Sequence, residues 1–282
     1  MKKSIKRAHC KFTPYEFTSF SMKIIAATLL SLLFLSPAPA KLVSQSVDYT
    51  DEKGSALQGY VVYDDATSEK RPGVIVVHDW RGLTDYTRMR SEMLAKLGYI
   101  AFAADIYGKD VRPQSVPEYM KQITIYKGNR PLYRERERAA YQAFLKQPLL
   151  DTSRIGAIGY CFGGTGVVEM ARDGLDLKGV VSFHGGLDSQ PLTAGTTIKT
   201  KVLALCGADD PYEKPEDMTA FEQQLRENNV DYQIVKYGHA VHAFTDTGVD
   251  ALHQDGAKYN AEADHRSWQA MRDFFAELFT NK

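Results

Sequence analysis

Residues 155–166 read IGAIGYCFGGTG. A short apolar run ends in Gly159-Tyr160-Cys161-Phe162-Gly163, and the residues from Phe162 to Arg172 follow at helical spacing. Glycines on both sides of a nucleophile let the chain turn sharply and hold that side chain clear of the backbone. A helix N-terminus behind a thiol favours the thiolate and offers backbone N–H groups to a developing oxyanion. Cys161 in this place is a candidate nucleophile for acyl transfer. The plainer reading is a buried cysteine beside a glycine-rich packing turn. Partners elsewhere in the chain decide between the two.

Such a thiol needs a base, and the base needs a group to orient it. Two later apolar runs end in suitable residues. KVLALCG is followed by Ala208-Asp209-Asp210-Pro211, and YQIVKY by Gly238-His239-Ala240-Val241-His242-Ala243-Phe244. Asp210, just before Pro211, fits a G-x-x-D turn from Gly207, with Asp209 as the alternative. His242 lies further into its loop, which must reach back over Cys161, with His239 as the alternative.

The elements that must position these groups alternate along the chain. Short runs rich in Val and Ile occur at Ala56–Tyr63, Val74–His78, Ile100–Ala104, Ile155–Gly159, Val180–Phe183, Val202–Cys206 and Tyr232–Tyr237, after a weaker Val43–Tyr49. Continuous apolar runs of that length are expected of strands buried on both faces of a parallel sheet. Helical spacing predicts helices over Thr84–Leu97, Tyr133–Lys146, Phe162–Arg172, Pro215–Asn228 and Ala261–Phe279. Strand–helix alternation of this kind means an α/β doubly wound sheet, here mostly parallel and eight-stranded with helices on both faces. Tyr107–Pro131, with Pro113, Pro117 and Pro131, reads as the longest irregular segment and a small lid. Trp268, Phe274 and Phe275 read as core.

Cys161 then follows the fifth strand, Asp210 the seventh and His242 the eighth, the chain order in which α/β-hydrolases carry nucleophile, acid and histidine. In that fold one oxyanion donor comes from the loop after the third strand and one from the residue after the nucleophile. The backbone amides of Trp80 and Phe162 occupy those places. Asp79, at the same mouth, is a candidate for thiol activation, or else a turn residue capping local amides. His184 either lines the pocket or satisfies a loop hydrogen bond.

The segments HDWRGL (78–83), LGYIAFAADIYGK (97–109), IGAIGYCFGG (155–164), VVSFHGGL (180–187), LCGADDP (205–211), VHAFT (241–245) and YNAEADHRSW (259–268) carry a resemblance. Over about residues 45–280 the chain resembles the dienelactone hydrolase family (carboxymethylenebutenolidase-like). The resemblance implies an α/β-hydrolase fold, no metal, no cofactor and a Cys-His-Asp triad, which by position is Cys161, His242 and Asp210. The family's acidic residue linked to thiol activation is usually Glu; here it is Asp79, one methylene shorter. The arginines that grip the substrate carboxylate have no clear match. Arg112 falls near by loose position, and Arg81 lies closer to the mouth. The implied activity is hydrolysis of a lactone or small carboxylic ester. The competing classes are a thiol redox sensor using Cys161 and Cys206, against which no C-x-x-C is present, and a non-catalytic small-molecule binding protein on the same fold.

Composition leaves room for this and narrows the rest. The 282 residues are 44% hydrophobic and 25% charged with net charge zero, so nothing points to nucleic acid or another polyanion as partner. Six Lys/Arg fall in residues 1–40 against one acid, Glu16, which leaves the remainder at −5. Residues 22–40, MKIIAATLLSLLFLSPAPA, have a secretory signal's Lys, apolar run and A-x-A-like end. Residues 1–40 are therefore read as an N-terminal extension and signal peptide, with Met22 a candidate initiator. Residues 41–282 are read as a single hydrolase domain, secreted or periplasmic and without stable membrane insertion. Cys161 and Cys206 are expected to stay unpaired, because one strand separates theirs.

Overall fold

The computed structural model describes residues 41–280. The expected leader, at residues 1–40, lies outside the described residues. Eight strands form one sheet in the order β1-β2-β4-β3-β5-β6-β7-β8. They are β1 (Leu42–Thr50), β2 (Ala56–Asp64), β3 (Arg71–Val77), β4 (Ile100–Ala104), β5 (Leu150–Tyr160), β6 (Gly179–Phe183), β7 (Lys201–Gly207) and β8 (Tyr232–Tyr237). β2 runs antiparallel to β1 and β4, and every other pairing is parallel. β3, β4, β6, β7 and the Ile155–Tyr160 stretch of β5 are buried almost throughout, which is why they read as unbroken apolar runs rather than alternating ones.

The helices are α1 (Asp85–Ala95), α2 (Val116–Lys127), α3 (Arg130–Phe144), α4 (Phe162–Arg172), α5 (Pro215–Glu227) and α6 (Ala261–Thr280). The two faces of the sheet build two separate apolar cores. One gathers Ile75, Phe102, Phe144, Phe162 and Phe221; the other gathers Val74, Tyr160, Phe244, Met271 and Phe275. Phe274 and Phe275 are buried there, and Trp268 packs against them half-buried. Among the described residues no helix is long and apolar enough to cross a membrane.

One expectation needs correction. The segment from Tyr107 to Pro131 is not irregular throughout, because α2 occupies twelve of its residues. Pro117 sits in the first turn, where a missing N–H costs no helical bond. Tyr119, Ile123 and Tyr126 recur at helical spacing and pack on the core, while Met120 and Ile125 are exposed. Of the prolines that make the segment look like a loop, Pro113 and Pro131 flank the helix and Pro117 opens it, so none breaks it.

Candidate active site

Every parallel strand ends at the same edge of the sheet, so loops after β3, β5, β6, β7 and β8 converge. The tightest of these turns follows β5. Cys161 caps α4 with φ 54° and ψ −112°, a conformation that a side-chain-bearing residue rarely adopts. The neighbours must be glycine. A Cβ on Gly159 would lie 1.9 Å from the Gly163 carbonyl oxygen, and one on Gly163 would lie 2.2 Å from that of Val77. The turn projects the thiol into a cavity of about 280 Å³, while Phe162 points the other way and stacks on Tyr133 at 4.5 Å.

The structure brings Cys161, His242 and Asp210 into one row. His242 Nε2 lies 3.0 Å from Cys161 Sγ, and His242 Nδ1 lies 2.8 Å from Asp210 Oδ2. The loop after β8 is pinned where it must be: His242 N–H donates to Gly256 O, and Lys258 N–H donates to His242 O. The other Asp210 oxygen accepts the Tyr212 N–H at 2.8 Å. The Tyr212 ring stands edge-on to His242 at 5.2 Å, and its hydroxyl donates to Asp255 O. Burial alone would strip the His242 ring of its proton; Cys161 and Asp210 outweigh that and push its pKa up to about 10. The two alternatives, Asp209 and His239, are exposed and outside the row.

Around this row the cavity is lined by Trp80, Tyr160, Met120 and Ile123 on its apolar side and by Asp79, Asp246, Glu213 and Lys127 on its polar side. Phe162 opens α4, so its amide has no partner within the helix. Trp80 follows β3 on the opposite wall, and its carbonyl is held by the Tyr107 hydroxyl at 2.9 Å. Burial raises the Glu213 carboxyl to about 7 even though Leu187 N–H donates to it.

Asp79 is occupied by Arg81. Its Oδ1 accepts the Arg81 backbone N–H at 2.7 Å, and its Oδ2 accepts Arg81 Nη2 at 2.5 Å. The same Nη2 reaches Asp246 Oδ2 at 2.5 Å. Among the described residues no hydrogen bond joins Asp79 to Cys161. Arg112 is further off, with its guanidinium on the Gly108 and Val111 carbonyls.

His184 does both things considered for it, lining the cavity and hydrogen bonding to the Cys161 loop. Cys206 is buried in β7 and unpaired, with β6 between its strand and that of Cys161; burial pushes its thiol up to about 12. Sequence reasoning missed the Arg81–Asp246 pair, Tyr212 and Thr245. Only Tyr212 left a local signal, its place two residues after Asp210.

A mostly parallel sheet with a strained Gly-x-Cys-x-Gly turn after β5 and an acid and a histidine after β7 and β8 defines an α/β-hydrolase. Within that class the chain belongs to the dienelactone hydrolase family, whose model matches residues 57–279. It is similar to a Yersinia pestis protein named "Putative carboxymethylenebutenolidase", 27% identical over 236 residues, covering 80% of this chain and 85% of that one. Among solved structures it is similar to a dienelactone hydrolase-like promiscuous phosphotriesterase from metagenomic libraries. That chain is 40% identical with a TM-score of 0.80, over 84% of this chain and 99% of the other. A Klebsiella pneumoniae protein named "Putative Dienelactone Hydrolase", 23% identical with a TM-score of 0.68, shares the fold over 84% and 99% of the two chains. The chain is thus a carboxylic ester hydrolase by family.

Proposed function

We propose that the protein opens a lactone or cleaves a small carboxylic ester through Cys161, with His242 as base and Asp210 as its orienting acid. The observation that carries this is the unbroken Asp210–His242–Cys161 row facing one cavity. The thiol proton rests on His242, whose pKa Cys161 and Asp210 push up to about 10, and the sulfur attacks the substrate carbonyl carbon. The carbonyl electrons move to oxygen, where the Trp80 and Phe162 amides donate to the oxyanion. The tetrahedral species collapses, the C–O bond to the leaving group breaks, and the imidazolium gives its proton to that oxygen. Water then adds to the thioester as His242 removes its proton, and the second collapse returns the sulfur as leaving group. Asp79 is left out of the proton transfer because Arg81 engages both its oxygens. A cavity of about 280 Å³ favours small substrates.

A redox role for Cys161 and Cys206 is disfavoured by the strand between them and by the burial of Cys206. Because a 40% identical relative is named a promiscuous phosphotriesterase, an aryl phosphotriester belongs beside lactones, aryl esters and dienelactone in a substrate panel. The test of mechanism is burst release of nitrophenol from a short acyl ester, abolished by alkylating Cys161. Cys161→Ala should lose at least about a thousandfold in turnover with the fold intact; activity within about tenfold of wild type would sink the assignment. Export is part of the same proposal, supported by residues 22–40, and predicts a mature chain beginning near Lys41 by intact mass.

A further inference from the structure

The Asp210–His242–Cys161 row does not use the second histidine of the cavity. His184 stands at the end of β6, 3% exposed, with φ 41°. Its Nδ1 lies 3.1 Å from the Cys161 backbone nitrogen, and its Nε2 lies 2.7 Å from Thr245 Oγ1. An amide N–H can only donate, so Nδ1 must be bare. The neutral ring then carries its proton on Nε2 and donates it to Thr245 Oγ1. The Thr245 hydroxyl is left to donate to the Tyr86 oxygen, 2.6 Å away. One tautomer of His184 satisfies every contact, and an imidazolium would turn an N–H against the Cys161 N–H.

The two ends of this bridge matter. One is the amide of the residue whose strained backbone makes the nucleophile turn, shared with the Phe183 carbonyl at 3.0 Å. The other, Thr245, lies three residues after His242 in the same loop and is itself held through its carbonyl by Arg90 at 2.6 Å. We propose that His184 is a positioning residue: fixed as the Nε2–H tautomer, it ties the Cys161 backbone to Thr245 and so sets the spacing between the Cys161 sulfur and His242. This rests on Cys161 being the nucleophile. Burial and then the charge of His242 lower the His184 pKa well below the ordinary range, which keeps the ring in the neutral form the bridge requires. Its ring also stands edge-on to His242 at 5.3 Å, so any tilt of one is felt by the other.

Two substitutions separate the ends of the bridge. Asn places its Oδ1 where Nδ1 lies and tolerates a positive φ, so His184→Asn keeps an acceptor for the Cys161 N–H. His184→Gln reaches only the Nε2 position. With nitrophenyl acetate, His184→Asn should keep kcat within about tenfold and His184→Gln should lose about a hundredfold, each with KM within about threefold. Thr245→Ser should stay within about threefold of wild type, whereas Thr245→Val should lose about tenfold in kcat. A histidine that only fills the core would instead lower the melting temperature and leave kcat of the folded fraction alone. Equal kcat for the Asn and Gln variants, or losses confined to KM, would overturn the proposal. Should the Gln variant fail to fold, the Thr245 pair decides, and equal kcat for Ser and Val overturns it. Cys161→Ala is the control. If it stays active, the nucleophile assignment fails; if it is dead while His184→Gln turns over normally, only the bridge fails.

Discussion

Replacing Arg81 by Met removes the guanidinium that bridges Asp79 and Asp246. The three side chains are 14%, 6% and 10% exposed, so neither carboxylate can recover its hydration by a small movement. Breaking a buried ion pair from one side costs about 3–5 kcal/mol, because a charge is left without compensation. For a domain of this size that is a fall of about 6–20 °C in melting temperature. The loss must also depend on pH. Burial already raises the Asp246 carboxyl, Arg81 opposes that rise, and Asp79 adds to it. Without Arg81 it rises further. A carboxyl whose folded pKa lies above its unfolded value costs nothing below the unfolded one and progressively more as pH climbs through the folded one. Urea denaturation should therefore show a larger loss at about pH 8 than at about pH 5. Adding Asp246→Asn to Arg81→Met should recover part of it. A loss under about 1 kcal/mol at the higher pH, or the same loss at both, would refute the reasoning.

The choices within the two loops can be checked by ranking. Asp210→Asn and His242→Ala should each lower kcat by about a thousandfold or more, while Asp209→Asn and His239→Ala, both on exposed residues, should stay within about threefold; a reversed rank at either loop refutes that placement. Imidazole NMR should find His242 protonated up to about pH 10, and in Cys161→Ala its titration should move down, since burial remains and the sulfur's pull is gone. The stability that this charged ring contributes is complete below the unfolded value of about 6.5 and is lost as pH rises through the folded one. Iodoacetamide at mild alkaline pH should label Cys161 and spare Cys206, whose buried thiol is pushed up to about 12; equal labelling of folded protein would contradict the burial argument.

The parts of this structure that were legible in the sequence are those that local pattern determines. The β5 run with its Gly-x-Cys-x-Gly turn announces both strand and helix because glycine spacing and apolar periodicity sit within a dozen residues. Asp210 and His242 were legible at one remove, since strand order carries them to the edge where Cys161 stands. Contacts between loops were not. Arg81 and Asp246 are 165 positions apart, and His184 and Thr245 are 61 apart. Nothing in either neighbourhood marks its partner. α2 was hidden for a different reason: three prolines outweigh a short Tyr119–Ile123–Tyr126 stripe unless the core beneath it is known.

In the proposed reaction the carbonyl carbon of the substrate becomes bonded to Cys161 sulfur. Rapid quenching of the enzyme with nitrophenyl acetate, followed by peptide mass spectrometry, measures this directly. One acetyl group should appear on the peptide containing Cys161, formed as fast as the nitrophenol burst and lost at the rate of turnover. Turnover at the wild-type rate with no acetyl group on Cys161 at any time, or with the group on another residue, would contradict it.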